Sequence, residues 1–456
     1  MDNVLWLVQK INFYLSDYIL VILLVGTGLF FTVKTRFVQV RCFGEGLKQV
    51  FSGMFSKDKT SGSMNSFQAL ATAVAAQVGT GNIIGACGAI LMGGPGAVFW
   101  MWVIAFFSMA TIYAEAVLAQ QTKEVQKDGT VLGGPIYYIK KAFPGKAGKL
   151  MASFFSLATV FALGFTGAMV QSNSISSACS TAFSIPTWLI GIIIACLAGL
   201  IFLGGVDTLA RVTEKLVPLM ALFYIAGGVI ILIIRAKYLP ETFAMIFKYA
   251  FRPDAIIGGS LGFALKTAIS QGVKRGLFSN EAGMGSTPHA HALAKVKNPH
   301  DQGVSAMIGV FIDTFIVLTI TALVVVSVLY AGDGILSSGN SCGIDKNEMA
   351  QKAFSSVFGE KFGEIFVAIC LLFFAFSTII SWNYFGKINV ISLFGKKSVP
   401  IYVIISIVFV FLGSCLSNDL VWELTDMFNQ LMVIPNVPAL IALSGSVVIA
   451  SKSKKK

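Results

Sequence analysis

The sequence predicts an all-α membrane protein of about 11 transmembrane helices, and three observations predict it. Charged residues make up 12% of the 456 positions, about half of the roughly 25% usual in soluble domains. Hydrophobic residues reach 55%, Phe alone counts 38, and mean hydropathy is +0.78. A water-soluble fold needs more polar surface than this to cover its core. Finally, the apolar runs are continuous rather than alternating with period two, so they fit helices of about 20 residues per crossing and exclude a closed barrel.

Taken in order, spans are expected at about 15–33, 66–91, 95–120, 151–177, 187–204, 216–234, 256–288, 303–330, 364–385, 399–414 and 428–450. The N-terminal MDNVLWLVQK lacks the basic region and small-residue cleavage site of a signal peptide, so the first span is expected to be retained. No connection is long enough for a separate soluble domain. Seven cysteines without CxxC spacing are expected as free thiols that pack as small hydrophobes.

The basic residues set orientation. Connections on one side carry 23 of the 34 Lys and Arg, including the SKSKKK tail, and those on the other side carry 8. The bias places the N-terminus outside and the C-terminus in the cytoplasm. It also removes the nucleic-acid reading of the +12 net charge, because most of that charge marks the cytoplasmic face.

Two spans are poor helices. The first carries Gln77-Val78-Gly79-Thr80-Gly81-Asn82-Ile83-Ile84-Gly85; Gly and Asn favour helix weakly, and freed backbone groups in hydrocarbon cost several kcal/mol each. Close helix packing through Gly81-xxx-Gly85 is the competing explanation. The second runs from Gly272 to Ser286 and holds Lys274, Arg275, Glu281, Asn280, two serines and four glycines. Each central charge costs about 2.5–3.5 kcal/mol on insertion scales, so packing alone does not account for it. With the first helix (about 15–33) set aside, ten spans divide five plus five, into repeats of about 66–234 and 256–450. The breaks fall in the first helix of each half. Five is odd, so the halves are inverted, and paired breaks in inverted halves point to a secondary transporter with a midplane site. Freed amides suit a carboxylate and freed carbonyls suit a small hard cation. Gln171-Ser172-Asn173-Ser174 and Ala375-Phe376-Ser377-Thr378 are the polar clusters available to complete such a pocket.

These stretches, with Gly93-Gly94-Pro95-Gly96, Tyr113-Ala114-Glu115-Ala116, Gly133-Gly134-Pro135 and Phe311-Ile312-Asp313-Thr314, resemble the alanine or glycine:cation symporter family of prokaryotes, within the amino acid–polyamine–organocation superfamily. The resemblance implies a leucine-transporter-like 5+5 inverted repeat with one extra N-terminal helix, in the prokaryotic cell membrane. It implies import of small neutral amino acids, alanine or glycine, with Na⁺ as coupling ion and no cofactor. By position, Thr80, Gly81 and Asn82 would hold the substrate carboxylate. Gln171 and Asn173 would add polar contacts, and Phe278, Ser279 and Asn280 would shape the pocket and bind the amine. Ala76, Gly79, Ala375 and Thr378 would form the sodium site. Ile379 stands where some relatives carry a second hydroxyl, which leaves H⁺ coupling open; Ser377 or Ser381 could compensate. The basic residue that the family commonly shows after Gly204-Gly205 is missing.

Glu115 and Asp313 are expected in structural roles, such as pairing with a cation or capping a neighbouring helix, with coupling-ion relay as the alternative. Glu281 is expected to pair with Lys274 or Arg275. His289, His291 and His300 are expected in a solvated cytoplasmic connection. An intramembrane enzyme is disfavoured, since no HExxH or Walker A motif occurs and no histidine lies within a predicted span. A channel or a sensor stays as an alternative. Lipid and an amino acid are the partners expected, without an obligate protein partner.

Overall fold

The computed structural model describes all residues except Met1, 55–63, 128, 253–259, 338–342, 417 and 453–456. Helices dominate, with a two-stranded antiparallel hairpin, β1 (Glu124–Val125) and β2 (Val131–Leu132), in one connection. Helices α1 (Asp2–Tyr14) and α2 (Val21–Lys34) are joined by a π-helical turn. Short helices α3 (Val38–Arg41) and α4 (Phe43–Met54) follow.

Helix α5 (Ser66–Gln77) starts at a capping box in which the Asn65 side chain accepts from Gln68 N–H and the Gln68 side chain accepts from Asn65 N–H. It stops at Gln77. Val78 leaves the helical region, and the chain resumes as a wide turn over Gly81–Gly85 and helix α6 (Ala86–Gly93), with a bend of 49° across the break. Next come α7 (Ala97–Thr122), α8 (Pro135–Ala142), α9 (Lys146–Phe183), α10 (Thr187–Leu203), α11 (Gly205–Ile234) and α12 (Leu239–Phe251).

The second half opens with α13 (Leu261–Asn280), a turn, and the short α14 (Pro288–Ala292). It continues with α15 (Pro299–Tyr330), α16 (Lys346–Phe358), α17 (Glu360–Phe394), α18 (Val399–Cys415), α19 (Asn418–Ala442) and α20 (Ser444–Lys452). Among the described residues six helices are long and apolar enough to cross a membrane, or eight when each bent pair is taken as one span.

Burial separates centre from rim. The apolar windows of α9, α15 and α17 are 72% buried, against 33% for α11 and α18. Leu200 and Leu203 on α10 and Ile233 on α11 are about 70% exposed, which suits lipid rather than water as the outer solvent. Of the described cysteines, Cys42, Cys87, Cys179 and Cys370 are buried free thiols and Cys196 and Cys415 are exposed ones; Cys342 lies outside the described residues.

Two sequence expectations change here. The second break occupies only the C-terminal part of the Gly272–Ser286 segment. Phe278, Ser279 and Asn280 complete the last turn of α13, and the chain leaves the helix at Glu281 (φ 57°). Gly283 and Gly285 then take φ of 85° and 83°, a region that glycine reaches without a Cβ clash. The three histidines are also not solvated: His289 and His291 are 0% and 1% exposed, and His300 is 4%. The connection tucks beneath the bundle because α14 packs on α5 and α7, and the Gln120 amide donates to the His291 and Ala294 carbonyls.

Candidate functional site

The first break exposes backbone donors that side chains from other helices reach. Gly79 N–H donates to Asn82 Oδ1 at 3.0 Å, and Thr80 N–H to Gln171 Oε1 at 3.2 Å. Backbone proximity is what demands glycine here. A Cβ on Gly79 would lie 2.5 Å from Thr378 Oγ1, and one on Gly81 would lie 3.1 Å from Phe278 Cδ1 and 3.2 Å from Ser279 Cα. The first break is therefore pressed between α9, α17 and the end of α13.

Asp313 joins the two breaks. Asn82 Nδ2 donates to Asp313 Oδ1 at 2.6 Å, and Ser279 Oγ donates to the same carboxylate at 2.9 Å. Thr314 Oγ1 donates to it at 2.8 Å. Asp313 lies in a π-helical stretch of α15, Phe311–Leu318, a geometry common where a helix serves a site. Its carboxylate is fully buried and is met by neutral donors, with no cation beside it among the described residues. A second link runs from Gln77 Nε2 to the Asn280 carbonyl, 2.8 Å.

The second break is held from both sides. Glu115 on α7 accepts Gly283 N–H at 3.1 Å, and Asn436 on α19 donates to Glu115 at 2.7 Å and to the Gly283 carbonyl at 2.9 Å. Glu115 thus caps the broken segment. Glu281 does not pair with Lys274 or Arg275. It accepts from Trp382 Nε1 at 2.6 Å and from Ser286 Oγ, because the left-handed turn at Glu281 carries its side chain away from α13 and toward α17. Arg275 pairs instead with Asp426 on α19, at 3.2 Å, and lies over the Trp422 ring.

On α17, Thr378 Oγ1 donates to the Ala75 carbonyl at 2.9 Å and lies 3.3 Å from the Ala76 carbonyl. Ser377 Oγ also reaches the Ala75 carbonyl, at 3.2 Å. Ala76, Gly79, Ala375 and Thr378 are all buried around this α5–α17 contact. Asn173 departs from the group. Its amide donates to the carbonyls of Gly413 and Leu416, at 2.9 and 3.1 Å, where it satisfies the end of α18. Three polar atoms on the broken segments are buried without a protein partner: Gln77 Oε1, Thr80 Oγ1 and Asn280 Nδ2. Buried polar atoms are normally hydrogen-bonded, so these three are free to meet a polar ligand.

A family model described as the sodium:alanine symporter family matches residues 1–455. The chain belongs to the sodium:alanine symporter family. Its family and relatives are transporters rather than enzymes. The chain is 40% identical over 450 residues to the sodium/alanine symporter AgcS of Methanococcus maripaludis, covering 98% of this chain and 96% of that one. It is 36% identical to the probable sodium/glutamine symporter GlnT of Bacillus subtilis, covering 97% and 88%. Among solved structures, MhsT in complex with L-phenylalanine superposes with a TM-score of 0.62 over 87% of this chain and 94% of that one, at 15% identity. That likeness establishes the fold alone.

Trp382, Asn436 and Gln77 are the site residues that sequence reasoning missed. Asn436 stands out on inspection as an amide between Pro435 and Pro438 in an apolar helix. Nothing local marks Trp382, since its role depends on where the Glu281 turn points.

Proposed function

We propose that this member of the symporter family imports a small neutral amino acid, alanine or glycine, driven by the Na⁺ gradient. The observation that carries the reading is the meeting of two broken helices through Asn82, Asp313 and Ser279, beside the unpartnered polar atoms named above. The substrate carboxylate takes the amides at the start of the Gly81–Gly85 turn, with Thr80 and Asn82, where the half-helix N-terminus is positive. The ammonium takes the last-turn carbonyls of α13, at Phe278, Ser279 and Asn280, and Gln171 braces the first break from α9. Phe278 and Trp382, whose rings meet edge to face with centroids 6.4 Å apart, wall the pocket and restrict it to a short side chain. Na⁺ takes the carbonyls of Ala76, Gly79 and Ala375 and the Thr378 hydroxyl, a hard all-oxygen set.

Alternating access follows from two inverted repeats of five spans, α5/α6 to α11 and α13/α14 to α19, with the N-terminal helix outside the repeat. The N-terminus is external, the C-terminus cytoplasmic, and the membrane is that of a prokaryotic cell. In that frame the Arg275–Asp426 pair lies on the external side of the site and closes it. Asp426→Asn therefore weakens the outer closure, and the rate at which bound alanine exchanges with external label is expected to rise several-fold; an unchanged rate rejects the gate. H⁺ coupling is the second reading, favoured by the Asp313 carboxylate, which only neutral donors meet among the described residues.

Uptake of labelled L-alanine into proteoliposomes separates these readings. An imposed Na⁺ gradient drives accumulation in the first and an imposed H⁺ gradient in the second, while stimulation by neither rejects symport. Within the site, Gln171→Ala strips the acceptor from the Thr80 amide and Asn280→Ala strips it from the Ala282 amide; leaving a buried donor unsatisfied costs about 1–3 kcal/mol. Alanine affinity should fall roughly tenfold or more in each. Asn173→Ala should leave affinity unchanged and lower thermal stability, since it strands two carbonyls at the end of α18. Equal affinity losses in all three variants contradict this division.

A further inference from the structure

A cluster of metal-ligating side chains lies far from the helix breaks, where the N-terminal arm meets α15. Cys42 Sγ, a Glu45 carboxylate oxygen and a His300 ring nitrogen lie within 4.8 Å of one another. Cys42 and Glu45 are three residues apart around the start of α4, so they share a face. His300 is the second residue of α15. The arm is seated firmly: the Phe43 and Phe311 rings meet at 4.9 Å, and a Cβ on Gly46 would lie 2.7 Å from the Val304 carbonyl.

We propose that Cys42, Glu45 and His300 form a regulatory site for a divalent transition metal of the zinc class, which clamps α4 to the start of α15. The donor set is chemically apt, since thiolate, imidazole and carboxylate are the three ligand types zinc accepts, and it leaves a fourth position for water. Tetrahedral coordination with metal–ligand bonds of about 2.0–2.3 Å requires ligand atoms roughly 3.3–3.7 Å apart. The His300 Nε2 to Glu45 Oε2 separation, 3.5 Å, already meets this. The thiol needs to close by no more than about 1.5 Å, within the reach of a χ1 adjustment.

His300 is also oriented as a ligand would be. Its Nδ1 lies 2.7 Å from the Tyr113 hydroxyl, so an Nδ1–H tautomer leaves the Nε2 lone pair facing Glu45, the arrangement that hydrogen-bond partners impose on metal-bound histidines. The neighbouring cation is occupied elsewhere, because Arg41 donates to the carbonyls of Thr35 and Ser451. Burial raises the Cys42 thiol above its ordinary value, with Arg41 partly opposing. Metal binding accordingly releases a proton. The Glu45 side chain is 34% exposed, which gives the ion a route in. Because α15 carries Asp313, immobilising its first turn slows transport.

The test uses the purified full-length protein, stripped of metal, titrated with Co²⁺ and then competed with Zn²⁺. One Co²⁺ per chain should bind, with a thiolate-to-cobalt charge-transfer band that Zn²⁺ abolishes. Cys42→Ser should lose that band. Glu45→Gln and His300→Gln should each weaken binding at least tenfold, and Tyr113→Phe, which alters only orientation, by roughly tenfold. Absence of saturable one-to-one binding, or a band that survives in Cys42→Ser, overturns the site. Zn²⁺ should reduce amino acid uptake by the wild type and leave the Cys42→Ser rate untouched; inhibition equal in both overturns the regulatory role. The spectrum is read without any transport, so failure of the site and failure of the symport reading are distinguishable.

Discussion

Replacing Asp313 with alanine should lower Na⁺-driven alanine uptake by at least about 100-fold. The carboxylate accepts from Asn82 on the first break, from Ser279 at the end of α13 and from Thr314 on its own helix. Hydrogen bonds to a charged group are worth about 1.5–3 kcal/mol each, and loss of two inter-helix links exceeds the roughly 2.8 kcal/mol that corresponds to 100-fold. Alanine also takes this acceptor from three buried donors, on Asn82, Ser279 and Thr314. Asp313→Asn separates bonding from charge, because its Oδ1 still accepts from Asn82 while its amide turns a donor toward Ser279 and Thr314. Folding should survive in the asparagine variant, judged by a monodisperse detergent-solubilised protein. Uptake should stay low, with the ion dependence altered. Wild-type uptake by Asp313→Asn assigns the residue to scaffolding.

Gly79→Ala should cost nearly as much by another route. The added methyl lies 2.5 Å from Thr378 Oγ1, closer than real Cβ contacts allow, and 3.1 Å from Gln171 Oε1, which is tight. Relief requires Thr378 to rotate away from the Ala75 and Ala76 carbonyls, or Gln171 to release the Thr80 amide. The first outcome removes the hydroxyl of the cation set and the second loosens the substrate half-site. The concentration of Na⁺ that half-saturates uptake should rise at least tenfold. Ala76→Gly adds no atoms at the same contact and should change it little. Equal Na⁺ dependence in wild type and Gly79→Ala contradicts the proposed cation site.

Much of the architecture was legible because the bilayer imposes strong rules on sequence. Length and continuity of apolar runs foretold the helices, and glycines with Asn82 in the middle of a span foretold the first break at its observed place. The second break was misplaced by a few residues. The resemblance placed Phe278, Ser279 and Asn280 in the break, yet α13 retains them because Asp313 and Gln77 satisfy the Ser279 side chain and the Asn280 carbonyl from other helices. Helix exit was instead set by Glu281 and the positive φ at Gly283 and Gly285, a backbone property with only a faint trace in composition.

Partner choice was the least legible layer. Glu281 and Arg275 are six residues apart, and sequence proximity suggested a pair. The turn between them separates the side chains, so one finds Trp382 and the other Asp426, residues more than 100 positions away. Asn173 looked like a pocket residue from its setting in Gln171-Ser172-Asn173-Ser174. Helical phase decides otherwise, since positions 171 and 173 face about 200° apart at 3.6 residues per turn. The histidines misled for a related reason: polarity in a connection argues for water only if the connection stays at the surface.

The measurement that bears most directly on the central claim is a density map of the protein frozen with Na⁺ and L-alanine. The substrate carboxylate should lie within hydrogen-bonding reach of the Gly81–Asn82 amides and the ammonium against the last turn of α13. A separate ion peak should lie between the Ala76 carbonyl and Thr378 Oγ1. Alanine resolved away from both helix breaks, or an unbroken helix through Val78–Gly81 in the ligand-bound state, contradicts that claim.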